Sequence, residues 1–316
     1  MKGEQVDAST APAVVGRPSP GDLGLIAVAV TGVSASGPLI AAMSVPALAI
    51  AFWRNVLASF VLVPIALVRH RPELRALGRR EIRLLLLAGL LLAAHFAAWI
   101  PSVRLTGVAS STTLVASQPI WSALIARRQG HEVPRGAWVG IWLAVLGVAF
   151  VSGIDLTVSR DAVVGDVMAV VGGALAAGYV SAGAAARRTI STTVYTATCY
   201  ATTSVLLLPL CLVVGSSLAG YSNGDWWKLV AITVLAQLLG HSVFNRVLKT
   251  TSPTVVSLSI LFEGPGAALM AAVFLSQYPR LAQLPGLLLL LIGVTVVIRS
   301  AQPARPGDPG EAVPAE

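Results

Sequence analysis

Apolar runs of about 20 residues recur ten times along the chain, separated by short stretches where charge, proline and glycine collect. They cover 23–42, 46–68, 82–101, 105–126, 136–154, 164–185, 192–214, 227–248, 252–275 and 281–298. A helix rises about 1.5 Å per residue, so about 20 apolar residues cross a hydrocarbon core of about 30 Å. The pattern predicts an all-α integral membrane protein with ten transmembrane helices. Glycine and proline inside the runs do not demote them, because neighbouring helices re-satisfy the backbone there. The ends read differently: 1–21 and 300–316 are rich in Pro, Gly and charge and predict disordered tails. Met1 to Asp22 lacks the early apolar core of a cleavable signal, so the first run is expected to stay as a span.

Composition agrees with this reading. Of 316 residues, 55% are hydrophobic and 11% charged, against roughly 25% charged in a soluble domain. The net charge of +8 does not imply nucleic acid. Arg69, Arg71, Arg75, Arg79, Arg80 and Arg83 fall between runs two and three; Arg127, Arg128 and Arg135 fall between four and five; Arg187 and Arg188 follow run six. Loops so enriched face the cytoplasm, which puts both termini inside, and the expected location is the plasma membrane. The alternate loops are acidic or nearly neutral, with Asp155, Asp161 and Asp166 after run five and Asp225 before run eight. Cys199 and Cys211 lie twelve residues apart in one predicted helix, about 18 Å along its axis. That is too far to bridge.

Sliding the chain by 146 positions lays Gly32 on Gly178, Gly37 on Gly183, His95 on His241, Pro119 on Pro265, Gly140 on Gly286 and Gly147 on Gly293 without a gap. Two copies of a five-helix unit, 22–154 and 155–299, follow from this. Five is odd, so the second copy enters the membrane from the opposite face. Such an inverted pair is expected to hold its substrate near the midplane between the halves.

One acidic residue sits in the middle of a long apolar run, in the stretch LSILFEGPGAALMAA: Glu263, two residues before Pro265. A carboxylate at that depth costs several kcal/mol unless paired, hydrated or protonated, so it marks a pathway for ions or substrate by default. The proline frees backbone carbonyls beside it. Gln118-Pro119 in run four mirrors Gly264-Pro265 in run nine, and paired helix breaks are the sequence pointer to a midplane site.

The half-motifs HFAAWIPSVRLTGVASSTTLVASQPIWSALIA from His95 and GHSVFNRVLKTTSPTVVSLSILFEGPGAALMAA from Gly240, with the closing span LLLLLIGVTVV, resemble the EamA type of the drug/metabolite transporter superfamily. The likeness covers about 22 to 299. It implies a secondary transporter of small organic metabolites, often outward, with a central cavity lined by spans one, three and four and their counterparts six, eight and nine. It also implies an acid near a proline in span nine, here Glu263 and Pro265, and often a basic residue in span two, here Arg54. The position opposite Glu263 is Ser117, so acid chemistry would be asymmetric.

The candidate substrate or ion contacts are then Glu263, His241, His95, Arg54, Gln118, Asn245 and Trp99, with Pro119 and Pro265 as helix breaks. Glu263 has two readings: a proton-coupling or substrate-contacting acid, or a structural acid tied to freed backbone or to Arg54. Arg54 lies too deep to snorkel easily and must find an anion, a carbonyl or a hydrated cavity. His95 and His241 titrate near neutrality and can relay protons or bond substrate, or they are satisfied core residues. Trp99 suits stacking on an aromatic or cationic ligand, or anchoring. No cofactor is implied, and no ligand set for a metal appears at useful spacing. The expected partners are a small-molecule substrate, the lipid bilayer and protons; a homodimer is compatible with the pattern but not required by it. Enzymes are disfavoured: GxxxxGK and HExxH are missing, and Gly32-Val33-Ser34-Ala35 lacks the rest of a GxSxG elbow.

Overall fold

The computed structural model describes residues 19–130, 132–240, 243, 244, 247 and 259–300. Among the described residues every regular element is a helix: α1 (Pro20–Ser34), α2 (Ser36–Ala41), α3 (Ala47–Arg69), α4 (Arg71–Ala76), α5 (Arg79–Thr106), α6 (Val108–Val115), α7 (Gln118–Arg128), α8 (Arg135–Leu156), α9 (Arg160–Ala186), α10 (Thr192–Val213), α11 (Asn223–Ile232), a π-helical segment (Thr233–Gly240), α12 (Glu263–Leu275), a single 3₁₀ turn (Leu281–Gln283) and α13 (Leu284–Ser300). Serine starts four of them. Ser19, Ser159, Ser191 and Ser222 stand at the N-caps of α1, α9, α10 and α11, each accepting a bond from the amide three residues on. Those bonds satisfy donors that a helix start otherwise leaves open.

Among the described residues, seven stretches are long and apolar enough to cross a membrane: Pro20–Ala41, Ala47–Arg69, Arg79–Thr106, Arg135–Leu156, Arg160–Ala186, Thr192–Val213 and Leu281–Ser300. The three other expected spans are interrupted. The run 105–126 breaks at Ala116-Ser117, between α6 and α7, with Pro119 in the first turn of α7. The run 227–248 passes from α-helix into the π segment. In the run 252–275, among the described residues, a turn at Leu261-Phe262 separates helical Ser259-Ile260 from the helix that begins at Glu263. Each interruption frees backbone groups that a straight span keeps bonded. Two parts of the acidic-loop expectation also change: Asp155 and Asp166 lie inside α8 and α9 and are fully buried.

The straight helices pair closely. α5 packs along α9, α3 along α10, and α8 along α13. In the last pair a Cβ added to Gly140 would lie 2.5 Å from the Gly293 carbonyl oxygen, and one added to Gly147 would lie 2.7 Å from that of Gly286. Only glycine allows backbones this near. Since 140 meets 293 and 147 meets 286, the two helices run antiparallel. α1 packs on the π segment and α6 on α12, so the interrupted pieces face one another at the centre. The buried apolar side chains gather in one large group around Ile50, Leu85, Ile100 and Ile232, a second around Leu114, Ala144 and Leu290, and a small third around Ala29, Val33 and Phe244. The outside is apolar too: Phe60, Val68, Phe274 and Leu281 are each more than three-quarters exposed. A contiguous apolar exterior of this kind meets lipid, not water.

Candidate functional site

Between the interrupted pieces and the middle of α3, α5, α9 and α10 lies a cavity of about 190 Å³. Arg54, His95, Trp99, Gln118 and Glu263 all line it, brought from α3, α5, α7 and α12. His241 and Asn245 lie outside the described residues. Pro119 and Pro265 stand one and two residues past the starts of α7 and α12, next to Gln118 and Glu263 respectively, so the breaks deliver these two polar side chains to the cavity.

Arg54 is buried, and its charge is held by two contacts of different kinds, one of them braced by a further bond. Its Nε donates to Gln237 Oε1 at 2.8 Å, its guanidinium carbon sits 4.4 Å above the Phe96 ring, and Gln237 Nε2 in turn donates to Asn55 Oδ1 at 3.1 Å. Gln237 comes from the π segment, and such segments collect at functional sites because their widened turn re-aims side chains. Arg54 Nη1 has no acceptor among the described residues. A donor on a buried cation left unmade costs about 1 to 3 kcal/mol or more. The fold tolerates this at a place where an incoming group can supply the acceptor.

Trp99 repeats the pattern on α5. Its ring is buried, stacks on His95 at 5.7 Å with 12° between planes, and its Nε1 lacks an acceptor among the described residues. His95 Nδ1 lies 2.9 Å from the Gly172 carbonyl of α9. A carbonyl only accepts, so this nitrogen carries the hydrogen and the ring is held in one orientation. Gly172 and Gly173 make the approach possible. A Cβ on the first would meet the Trp99 backbone and Cβ at 3.1 to 3.5 Å, and one on the second would lie 2.8 Å from the Val115 carbonyl oxygen, beside the α6–α7 break.

Glu263 is half-buried and forms no hydrogen bond among the described residues. The expected structural pairing with Arg54 is not an ion pair here: the described salt bridges are His70 with Glu73, Lys228 with Asp225 and Arg280 with Asp155. Arg54 and Glu263 face the same space without touching, which leaves both charges available to its contents. Trp53 of α3 does not line this cavity. Its indole donates to the Leu218 carbonyl at 2.9 Å and packs edge-on against Trp226 at 4.9 Å, tying α3 to α11 and the loop before it.

Sequence reasoning missed Gln237, Tyr200 and Phe96, all of which line the cavity. Gln237 had a signal, since an amide in an otherwise apolar run needs a partner. Phe96 and Tyr200 had none, because aromatic residues on apolar helices are ordinary core.

Polar atoms left open in a cavity that is walled by rings, inside a lipid-facing bundle and at helix breaks, define a multi-pass membrane protein of the transport class. The family model described as the EamA-like transporter family matches residues 20–153 and again 163–299. The chain belongs to that family, whose members are transporters and not enzymes. No curated protein matches the sequence. A solved structure titled only as a crystal structure of a protein shares the fold, with a TM-score of 0.60 at 15% identity over 88% of this chain and 96% of that one.

Proposed function

We propose that the protein is a secondary active transporter that exports a small organic metabolite across the plasma membrane by alternating access, with proton coupling through Glu263. The observation that carries this reading is the convergence of Arg54, His95, Trp99, Gln118 and Glu263 on one cavity, with Arg54 Nη1 and Trp99 Nε1 lacking acceptors among the described residues. Unpaired donors and an unpaired acid around one space are what a changing cargo requires, since a permanently satisfied site has nothing to exchange.

The same reading takes the chain as ten spans in two inverted copies, 22–154 and 155–299, with both termini cytoplasmic. Reciprocal contacts support it. Under the 146-residue shift, the Gly140–Gly293 contact maps onto Gly286–Gly147, the contact a two-fold axis between copies requires. The pairing of α1 with the π segment has its counterpart in α9 with α5, and matched helices α8 and α13 run antiparallel. Alternating access then moves one copy against the other around the cavity.

The test compares the medium of cells overexpressing the chain with that of cells carrying Glu263→Gln, by untargeted mass spectrometry at two external pH values. A metabolite that accumulates outside only with the unmodified chain supports export and a role for Glu263. Identical media with matched amounts of protein in the membrane would overturn export.

A further inference from the structure

A second acid system lies away from the cavity, where α5 ends. Asp155 of α8 and Asp166 of α9 are both fully buried, and both touch the hydroxyl of Thr106, the last residue of α5. Thr106 Oγ1 lies 2.6 Å from Asp166 Oδ1 and 3.2 Å from Asp155 Oδ2. Asp155 Oδ1 accepts from Arg280 Nη1 at 2.8 Å and from Gln283 Nε2 at 2.7 Å, both in the segment leading into α13. Asp166 Oδ2 makes no hydrogen bond of good geometry among the described residues, although the Ser152 hydroxyl of α8 lies near this carboxyl.

Hydrogen counting decides the charge state. A hydroxyl has one hydrogen, so Thr106 donates to one carboxylate only. Both contacts are hydrogen bonds at once when the other carboxyl brings a hydrogen of its own. Asp155 has a guanidinium and an amide on one oxygen and stays ionised. Asp166 has no cation: Arg280 is turned to Asp155, Arg104 of α5 donates to the Met43 and Val45 carbonyls, and Arg160 and Asp161 of its own helix are exposed. An ionised Asp166, buried without a counter-charge beside another carboxylate, is strongly disfavoured.

We propose that Asp166, Thr106 and Asp155 hold one exchangeable proton and form a latch that ties α5, α8, α9 and the start of α13 together at this end of the bundle. With the proton in place, Asp166 donates to Thr106, which donates to Asp155, which is clamped by Arg280. When the proton leaves, Thr106 bonds one carboxylate, the two negative charges repel across it, and α9 parts from α8. A cavity of about 540 Å³ lined by Thr106, Arg280 and Gln283 adjoins the latch and supplies water to take the proton. The latch is separate from the metabolite cavity and does not rest on Glu263.

The experiment measures distances between spin labels on the full chain in detergent, at exposed Val164 of α9 and exposed Tyr278 beside Arg280, at roughly pH 5.5 and roughly pH 8.5, limits that bracket the range into which burial can bring a carboxyl. The unmodified latch is expected to show a longer distance at the higher pH. Asp166→Asn, which keeps the hydrogen permanently, is expected to give the short distance at both. Thr106→Val, which removes the relay without changing shape, tests the same link and is expected to abolish the shift. Equal distances at both pH values in the unmodified chain, or a shift that survives both substitutions, would overturn the proposal. Transport is not part of the readout, so failure of the export reading leaves the result interpretable.

Discussion

The α8–α13 pair and the cavity wall are built from the same kind of residue, small and apolar, yet they spend it in opposite ways. In α8–α13 the helices are unbroken, and Gly140, Gly147, Gly286 and Gly293 bring two backbones into contact with nothing left open between them. At the cavity, Gly172 and Gly173 draw α9 against α5 and the α6–α7 break, but the helices there are interrupted and Arg54 Nη1 and Trp99 Nε1 remain unmade. One region is closed by packing and the other is kept open by incomplete bonding. On the proposed reading the first serves as the frame and the second as the working part, a division that stability and transport measurements can pull apart.

The frame is where the largest loss of stability is expected. In Gly140→Leu even the first side-chain carbon would fall 2.5 Å from the Gly293 carbonyl oxygen, and on the other helix no flexible side-chain tip is there to give way. Overpacking costs typically about 1 to 3 kcal/mol where neighbours can shift, and more where they are backbone. Thermal unfolding in detergent should show a sharply lowered midpoint or no folded protein. A chain that unfolds like the parent would mean α8 and α13 are not in contact, and the frame assignment would fall.

Next comes Gln237→Leu. Its carboxamide satisfies Arg54 Nε and Asn55 Oδ1 together, so the change strands a buried cationic donor and a buried acceptor. A loss of about 1 to 3 kcal/mol is expected from unfolding, with ligand binding weakened as well because Arg54 loses its orientation. Were stability unchanged, the π segment would not be what fixes Arg54.

Glu263→Gln should separate the two regions most cleanly. The acid makes no hydrogen bond among the described residues, so its replacement removes no bond and is expected to leave stability within about 0.5 kcal/mol or to raise it, as happens when a functional group is held at the expense of stability. Metabolite efflux, by contrast, should fall by about tenfold or more. A large drop in unfolding midpoint with efflux preserved would reverse the assignment and make Glu263 structural.

The frame and the working part were not equally legible in the sequence. Spans such as Ala47–Arg69 and Arg160–Ala186 stood out because bilayer thickness sets their length. The run 252–275 has the right length and composition, yet a turn at Leu261-Phe262 breaks it; the proline shows that a break is near but not where the turn falls. Arg54, Glu263, His95 and Gln118 were found because a polar group in an apolar run needs an explanation. Asp155 and Asp166 were misplaced in a loop for the converse reason: near the end of a run, an acid reads as the polar flank, and only tertiary contacts with Thr106 and Arg280 reveal that both are buried. That Arg54 bonds Gln237 and not Glu263 depends on the swing of the π segment, which no spacing rule anticipates.

The smallest effect is expected far from both regions, in the loop between α3 and α5. Glu73 of α4 accepts from the Ser191 amide at 2.5 Å and lies 3.1 Å from His70 Nδ1, stitching this loop to the start of α10. Burial pushes the Glu73 carboxyl upward, but the bonds from the Ser191 amide and hydroxyl and from His70 outweigh it and hold the group below the usual carboxylate range. A carboxyl depressed in the folded state stabilises most above its unfolded value of about 4.3, and that stability is lost as pH falls through the lower folded value. Glu73→Gln should therefore cost a few tenths to about 1 kcal/mol near neutral pH, in line with partly exposed pairs. The gap between the two chains should close as the pH drops below about 4. Unfolding midpoints of both proteins across that range provide the check: a gap that persists at low pH would place the effect in lost packing, and no gap at neutral pH would mean the loop is not stitched to α10 at all.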